Sequence, residues 1–223
     1  MDTLPVAAPA ATSLAGTAAC ACTAEAHDTR FVAVTGGPGA GKTAILELAR
    51  RRFCRHVRVL PEVATMLFAG GFPREDSREA IEAAQRAIAS VQREVERIVR
   101  SDGKTALALC DRGTLDGLAY WPGTEDAYFT ALGTTRAREL ARYAAVVHLR
   151  TPSAKHYNNH SNPVRLETAA HAQEIDARIA EAWRGHGHVH FVESHVDFLE
   201  KARIALEVIE HELPACCRRE SAA

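Results

Sequence analysis

The sequence predicts an α/β fold in which helices cover both faces of a five-stranded parallel sheet. Short apolar runs typical of buried strands alternate five times with stretches that carry apolar residues at helical spacing. The 223 residues suffice for one sizeable core, and no internal repeat divides them. We therefore expect one folded domain over residues 30–213, with right-handed crossovers between its strands.

The predicted elements follow in order along the chain. Strands are expected at 31–34, 56–62, 105–110, 144–149 and 189–193, and helices at 44–52, 76–102, 126–142, 167–183 and 195–213. The clearest helix is 76–102, with Asp76 as a capping start and Gly103 as a stop. Turn residues predict a surface loop over 63–75, and lost periodicity predicts a mobile loop over 150–165.

Both ends of the chain are expected to lie outside the fold. Residues 1–29 are rich in Ala, Thr and Pro and poor in large aliphatic side chains, which predicts a disordered tail. Residues 214–223 are expected to form a C-terminal tail. Cys20 and Cys22 could bind a metal or be lipidated, and Cys216 and Cys217 could be acylated or redox-active, but plain thiols are the expected state.

The composition excludes some classes of function. A net charge of -1 with 25% charged residues gives no support for a nucleic-acid partner on a broad basic surface. No apolar run approaches the ~18 residues that a membrane span needs. The six cysteines form neither a secreted disulfide framework nor paired Cys-x-x-Cys zinc sites, which favours a reduced, cytoplasmic compartment.

One stretch carries a specific chemistry. Residues 36–43 match G-x-x-x-x-G-K-[ST], between the first strand and the first helix, and this is a phosphate-binding P-loop. Its main-chain N–H groups would cradle a nucleoside triphosphate, ATP or GTP, while Lys42 reaches the β- and γ-phosphates and the Thr43 hydroxyl ligates Mg²⁺. The expected nucleotide contacts are Gly36, Gly37, Pro38, Gly39, Ala40, Gly41, Lys42, Thr43 and Ala44.

Polar residues end the second and third predicted strands, at the sheet edge where ligands of open α/β folds bind. Asp111 fits a Walker B-type acid that holds Mg²⁺, although an Asp at this place can also cap the next turn. Glu62 could act as a catalytic base, hold Mg²⁺ through water or pair with an arginine. Arg112 could contact the acceptor or be structural.

The order of these motifs resembles the NadR/Ttd-like P-loop family known as "AAA domain", over roughly residues 30 to 213. The residues that carry the resemblance are the P-loop, Leu60-Pro61-Glu62, the long Gln-containing helix and Cys110-Asp111-Arg112-Gly113 with Asp116 and Tyr120. The family includes the ribosylnicotinamide kinase domain of NadR, and the arrangement is similar to deoxynucleoside and thymidylate kinases. The resemblance implies that Glu62 accepts the proton of an attacking hydroxyl and that Arg112 contacts the acceptor. It also implies that Lys155 and Arg165 serve where the family has lid arginines on the transferring phosphoryl group.

Other candidates are weaker. Phe72, Tyr120 and Trp121 could stack on an acceptor, but packing is the more common role of single aromatic residues. Gln85 and Gln92 could read a base edge, and we expect them to face solvent instead. The alternating His186, His188 and His190 have no acid or Cys partner at matching spacing, so no zinc is expected there.

Two functions of different classes remain. The first is a Mg²⁺-dependent kinase that passes the γ-phosphoryl group of ATP to a small hydroxyl-bearing acceptor such as a nucleoside. The second is a nucleotide-binding regulator that binds a protein or lipid partner with little turnover. The tetrapeptide with which Ras-like GTPases read guanine does not occur in the sequence, and the chain has no room for the helical lid domain of hexameric motors.

Overall fold

The computed structural model describes residues 15–152, 169–194 and 197–218. Its sheet contains β1 (Arg30–Thr35), β2 (Val57–Leu60), β3 (Leu107–Asp111), β4 (Ala145–Leu149) and β5 (Val189–Val192). All neighbouring strands are parallel, in the order β2-β3-β1-β4-β5, which confirms the predicted five-stranded sheet. Because β1 is the central strand, the loop that follows it lies in the middle of the sheet edge.

Helices cover both faces of this sheet. They are α1 (Lys42–Arg52), α2 (Val63–Ala69), α3 (Arg78–Asp102), α4 (Glu125–Ala131), α5 (Arg136–Leu140), α6 (Ala169–Ala182) and α7 (Phe198–Glu212), with 3-10 turns at Thr114–Tyr120 and Ala215–Cys217. Helices α1 and α7 pack on one face, around Ile45, Leu46 and Ile209. Helices α3, α4 and α6 pack on the other, around Val99, Tyr128 and Ile179. The two buried layers fix the positions of the strand ends.

The long helix α3 begins one residue later than the capping motif predicts. The Ser77 hydroxyl, rather than Asp76, caps it by accepting a hydrogen bond from the Ala80 N–H at 3.2 Å. Gly103 ends the helix in the left-handed conformation, with φ 64°.

Two predicted segments differ from the structure. The region 63–75 is not all loop, because α2 occupies its first half, with Val63 buried and the Phe68 ring against Phe72 at a centroid distance of 6.4 Å. The helix expected over 126–142 is broken into α4 and α5. Gly133, with φ 59°, turns the chain, and the Thr135 hydroxyl caps α5 by accepting from the Arg138 N–H.

The prediction of a disordered tail is wrong for residues 15–29. Gly16 donates a main-chain hydrogen bond to the Val57 carbonyl at 2.8 Å, and Ala18 donates one to the Phe53 carbonyl at 2.9 Å. Small side chains permit this close approach, since a Cβ on Gly16 would lie 2.2 Å from the Cys54 oxygen. The tail predicted over 214–223 also packs where it is described, with Cys217 buried. Residues 1–14 lie outside the described residues.

We find no helix of sufficient length and apolar character to cross a bilayer in the described ranges.

Candidate nucleotide-binding site

The loop between β1 and α1 needs glycine at defined positions. Gly36 has φ 130°, and a Cβ there would lie 2.0 Å from the Leu149 carbonyl oxygen at the end of β4. Gly41 precedes α1 with φ 93°. Both conformations disfavour any residue with a side chain. The neighbouring strand therefore sets the path of the loop across the sheet edge.

Helix α1 begins at this loop, and no side chain of the helix start accepts hydrogen bonds from its first main-chain N–H groups. No side chain among the described residues caps it, and its first turn contains no acid. The main-chain N–H groups of a first helical turn have no partner within the helix, and the helix dipole adds partial positive charge there. The loop and the start of α1 can thus receive an anionic group such as a phosphate.

Lys42 lies inside the loop rather than in solvent. Its ammonium donates hydrogen bonds to the carbonyls of Gly36 and Gly37, at 2.8 and 3.0 Å. Burial, reinforced by the positive charge of Arg112 and opposed by the carboxylate of Asp111, lowers the pKa of Lys42 to about 7. A bound phosphate would supply the negative charge that a buried ammonium requires.

Helix α6 fastens the loop from outside. The Asp176 carboxylate accepts hydrogen bonds from the Gly37 N–H at 3.0 Å and from the Arg150 guanidinium at 3.1 Å, and His148 Nε2 lies 3.0 Å from it. Burial alone would raise the pKa of Asp176, but these partners outweigh burial and hold it at about 2. The Thr151 hydroxyl completes the contact, donating to the Pro38 carbonyl at 3.3 Å. The loop is therefore positioned by charged and polar side chains on both sides of residues 153–168.

Arg112 and Glu62 form an ion pair at the ends of β3 and β2. The Arg112 Nε donates to Glu62 Oε1 at 2.5 Å, and the Thr65 hydroxyl donates to Glu62 Oε2 at 2.5 Å. Burial would raise the pKa of Glu62, but the charges of Arg112 and Lys42 and the hydrogen bonds from Arg112 and Thr65 together outweigh burial, so the pKa lies below its ordinary value. Arg112 has φ 72°, the sole non-glycine residue with positive φ among those described. The structure thus brings the two predicted acceptor-side residues together.

Asp116 links this ion pair to the core. One of its oxygens lies 3.5 Å from Arg112 Nη1 and also accepts from the Thr35 hydroxyl, while the other accepts from the indole N–H of Trp183 at 2.7 Å. Asp116 and Trp183 are both buried. The guanidinium is therefore held by a carboxylate that is itself fixed by two elements of the fold.

The oxygen atoms of Asp111, at the end of β3, and of Thr43, at the start of α1, are suitable ligands for a divalent cation. Asp111 Oδ1 is buried and has no hydrogen-bond partner among the described residues. Burial raises the pKa of Asp111 to about 6, and the nearby Glu62 and Asp116 charges act in the same direction against Lys42 and Arg112. Thr43 and Asp111 line one cavity. A buried carboxylate oxygen without a partner, in the same cavity as a hydroxyl, fits the oxygen ligands that Mg²⁺ prefers.

A cavity of about 1070 Å³ runs from the P-loop to α3. Glu62, Asp111 and Arg112 lie along it, and Gln85 and Gln92 line its far wall. Both glutamines are buried, so the expectation that they face solvent is wrong. The Gln92 amide also donates to the buried Glu96 carboxylate at 2.9 Å. The opposite wall therefore offers amide groups able to pair with a polar ligand.

The other sequence-predicted residues divide into three groups. Lys155 and Arg165 lie outside the described residues. Trp121 packs against Tyr128 with ring centroids 5.3 Å apart, whereas Tyr120 lines the cavity, 5.9 Å from the Arg112 guanidinium. The His186 and His188 rings are 6.5 Å apart, and within the described part of the chain neither joins a group able to hold a metal.

Two site residues are absent from the sequence-based expectations. Asp176 could have been found as an acid on the apolar face of its helix, between the buried Ala172 and Ile179. Arg178, two residues further along α6, lines the cavity and adds a cation on the α6 side. No periodicity distinguishes Arg178 from the other arginines of the chain.

Comparison with known proteins agrees with this arrangement. Residues 31–201 match the family model described as AAA domain. A comparison with curated protein sequences found no match.

Among solved structures, the fold is similar to two structures of NadR. One is in complex with NR, at 17% identity and a TM-score of 0.63, over 87% of this chain and 54% of that one. The other is in complex with NAD and AMP-PNP, at 14% identity and a TM-score of 0.58, over 88% and 52%. The chain thus spans about half the length of the NadR proteins. Thymidylate kinase from Candida albicans is similar at 10% identity and a TM-score of 0.56, over 82% of this chain and 92% of that one. These similarities show a P-loop kinase-like fold.

Proposed function

Because this chain belongs to the AAA domain family of P-loop proteins, we propose that it is a kinase that binds ATP and transfers the γ-phosphoryl group to a small hydroxyl-bearing acceptor. The observation that carries the proposal is one cavity that is lined by the P-loop, by Glu62 and Arg112, and by Gln85 and Gln92. A volume of about 1070 Å³ accommodates a nucleotide and a second small molecule end to end.

On the donor side, the loop amides and Lys42 bind the triphosphate. In phosphoryl transfer the protein forms few or no covalent bonds to the substrate. It acts mainly by neutralising the charge of the phosphate oxygens and by orienting the reacting groups. Thr43 and Asp111 would hold Mg²⁺, which supplies charge neutralisation to the phosphates when it is bound. The AMP-PNP in one NadR structure supports ATP as the first nucleotide to test, with GTP as the alternative.

On the acceptor side, Glu62 would orient the attacking hydroxyl and accept its proton. The ion pair with Arg112 holds Glu62 ionised at neutral pH, as a proton acceptor must be. Arg112 would contact the acceptor or the transferring group, and Arg165 would complete the cation set from residues 153–168. A nucleoside is the first acceptor class to test, because its base could pair with Gln85 and Gln92.

A second candidate function is a nucleotide-dependent regulator with little turnover. It is favoured by the engagement of both Glu62 oxygens, one by Arg112 and one by Thr65, together with a lowered Glu62 pKa that weakens a general base. Such a protein would bind ATP or GTP tightly and respond to a protein or lipid partner rather than to a small acceptor.

One experiment separates these functions. Lys42→Ala and the wild type are titrated with ATP and with GTP by calorimetry, and ADP release is measured with nucleosides and sugars as acceptors. Acceptor-dependent ADP release that is lost in Lys42→Ala supports the kinase. Tight binding without any productive acceptor supports the regulator, and unchanged binding by Lys42→Ala overturns both.

A further inference from the structure

Five of the six cysteines and two histidines meet at the sheet edge opposite the P-loop. They come from the N-terminal segment, from the turn between α1 and β2, and from the 3-10 turn after α7: Cys20, Cys22, His27, Cys54, His56, Cys216 and Cys217. This turn precedes the amino end of β2, whereas the P-loop follows the carboxyl end of β1, and all strands are parallel. The cluster is thus separate from the candidate nucleotide site.

The seven side chains form two sets of four that share one member. The ligand atoms of Cys20, Cys54, His56 and Cys217 all lie within 4.8 Å of one another. The same holds for the set of Cys22, His27, Cys216 and Cys217. Each set contains three sulfur atoms and one imidazole nitrogen, with Cys217 common to both. Four ligands per set is the number that a closed structural zinc site uses.

Three distances between ligand atoms of the cluster lie close to those of tetrahedral coordination. With zinc bonds of about 2.3 Å to sulfur and about 2.0 Å to nitrogen, two sulfurs are separated by about 3.8 Å and a sulfur and a nitrogen by about 3.5 Å. Cys216 and Cys217 Sγ are 3.9 Å apart, Cys22 Sγ is 3.7 Å from His27 Nε2, and Cys217 Sγ is 3.4 Å from His56 Nδ1. A disulfide would bring two sulfurs to about 2.05 Å, and all six cysteines are free.

We propose that this cluster is a zinc site in which one ion is bound by Cys20, Cys54, His56 and Cys217 and a second by Cys22, His27, Cys216 and Cys217. Three thiolates and one imidazole in a tetrahedron select Zn²⁺ over the hard cations Mg²⁺ and Ca²⁺. The Cys217 thiolate bridges the two ions. Five thiolates and two dications together carry one negative charge, and the adjacent Arg55 offsets it.

The surroundings of the cluster set requirements on zinc binding. The Cys22 N–H donates to Cys20 Sγ at 3.4 Å, the kind of outer contact that supports a metal-bound thiolate. His56 bound through Nδ1 carries its proton on Nε2, which lies 3.3 Å from Arg55 Nε. The Arg55 side chain must therefore turn away from the ring when the metal binds.

Zinc in this position would fasten both ends of the described chain to the fold. Cys54 follows α1 closely, so the metal would hold the N-terminal segment and the final 3-10 turn against the far end of the P-loop helix. Metal binding of this kind contributes directly to folding, because the unfolded chain has no preformed site. It gives a reason why a segment poor in large aliphatic residues packs at all.

The test measures bound zinc in the purified full chain, after loading with Zn²⁺ and dialysis, by inductively coupled plasma mass spectrometry. We expect two ions per wild-type chain. Cys54→Ser and Cys22→Ser each break a different set and should each lose about one ion, and Cys217→Ser should lose both. Cys110→Ser is the matched control, because Cys110 is a buried thiol in β3 outside the cluster, and it should keep both ions.

Replacement of zinc by Co²⁺ gives an independent readout. The wild type should show thiolate-to-cobalt charge-transfer bands and the strong d–d bands of tetrahedral cobalt. Cys216 is exposed, so Cys216→Ser keeps the fold, checked by circular dichroism, and should lose the ion of the second set.

Two results would overturn the proposal: a reduced wild-type chain that retains no zinc, or a Cys217→Ser chain that retains as much as the wild type. Disulfides found within the cluster by mass spectrometry of freshly purified protein would also overturn it. One ion per wild-type chain would overturn the bridged pair and, through Cys54→Ser and Cys22→Ser, identify the single occupied set.

Discussion

The main-chain N–H of Gly37 donates a hydrogen bond to Asp176 Oδ1 across 3.0 Å, which joins the P-loop to α6. The same carboxylate holds His148 and Arg150 at the end of β4. The shape of the phosphate loop thus depends on a side chain that lies 139 positions further along the chain. A ligand that moves the loop would also act on the helix that follows residues 153–168.

Asp176→Asn should destabilise the protein. The pKa of Asp176 is lowered in the fold from 3.8 to about 2, so its contribution to the free energy of unfolding is complete above about pH 4 and is lost as the pH falls toward 2. We expect a loss of about 2 kcal/mol at neutral pH, measured by urea unfolding. Asp126→Asn, at an exposed position of α4, is the control. Equal stability of Asp176→Asn and the wild type at pH 7 would contradict the prediction.

Asp111→Asn should stabilise the metal-free protein while it weakens nucleotide binding in Mg²⁺. Burial raises the pKa of Asp111 from 3.8 to about 6, so the folded state binds the extra proton and stability falls as the pH rises between these values. Asparagine removes this cost, and we expect a gain of about 1 to 3 kcal/mol at pH 7.5 in metal-free buffer. Thermal unfolding against pH measures it. The stability of the variant should also change less between pH 4 and pH 6 than that of the wild type. A variant less stable than the wild type at pH 7.5 would contradict the raised pKa of Asp111.

Glu62→Gln should lower kcat for acceptor phosphorylation by about 10²- to 10⁴-fold, as loss of a general base does. The ATP dissociation constant should stay within about twofold of the wild type, because the role proposed for Glu62 is on the acceptor side and not at the triphosphate. Glu47→Gln, on the outer surface of α1 where Glu47 pairs with Arg50 and Arg51, is the matched control. A variant with wild-type kcat would remove Glu62 from the proton transfer.

Gln85→Leu should raise KM for the acceptor by about tenfold, since one lost hydrogen bond costs roughly 1 to 1.5 kcal/mol, and should leave KM for ATP unchanged. Gln173→Leu, at an exposed position of α6, controls for the substitution itself. If KM for the acceptor and KM for ATP rise together in Gln85→Leu, Gln85 does not bind the acceptor alone.

Much of this fold was accessible from the sequence because its strands are continuous apolar runs and its P-loop has a fixed spacing. Contacts between elements that are distant in the sequence could not be predicted from it. Asp176 reaches Gly37, and Gln85 faces the cavity, through packing that no local pattern records. The break at Gly133 was missed because strong helix formers lie before and after the short Gly133-Thr134-Thr135 stretch, and their spacing outweighed these three poor helix formers. The order of residues 15–29 depends on main-chain pairing, to which composition is insensitive.

The Trp183 indole donates to Asp116, and Asp116 lies beside Arg112 in the candidate site. Because only one carboxylate separates the Trp183 indole from Arg112, its fluorescence should respond to changes at the candidate site. Since the chain has only two tryptophans, a Trp121→Phe protein would emit from Trp183 alone. The arrival of ATP or of an acceptor at Arg112 could then be followed in real time by stopped-flow, without any attached dye.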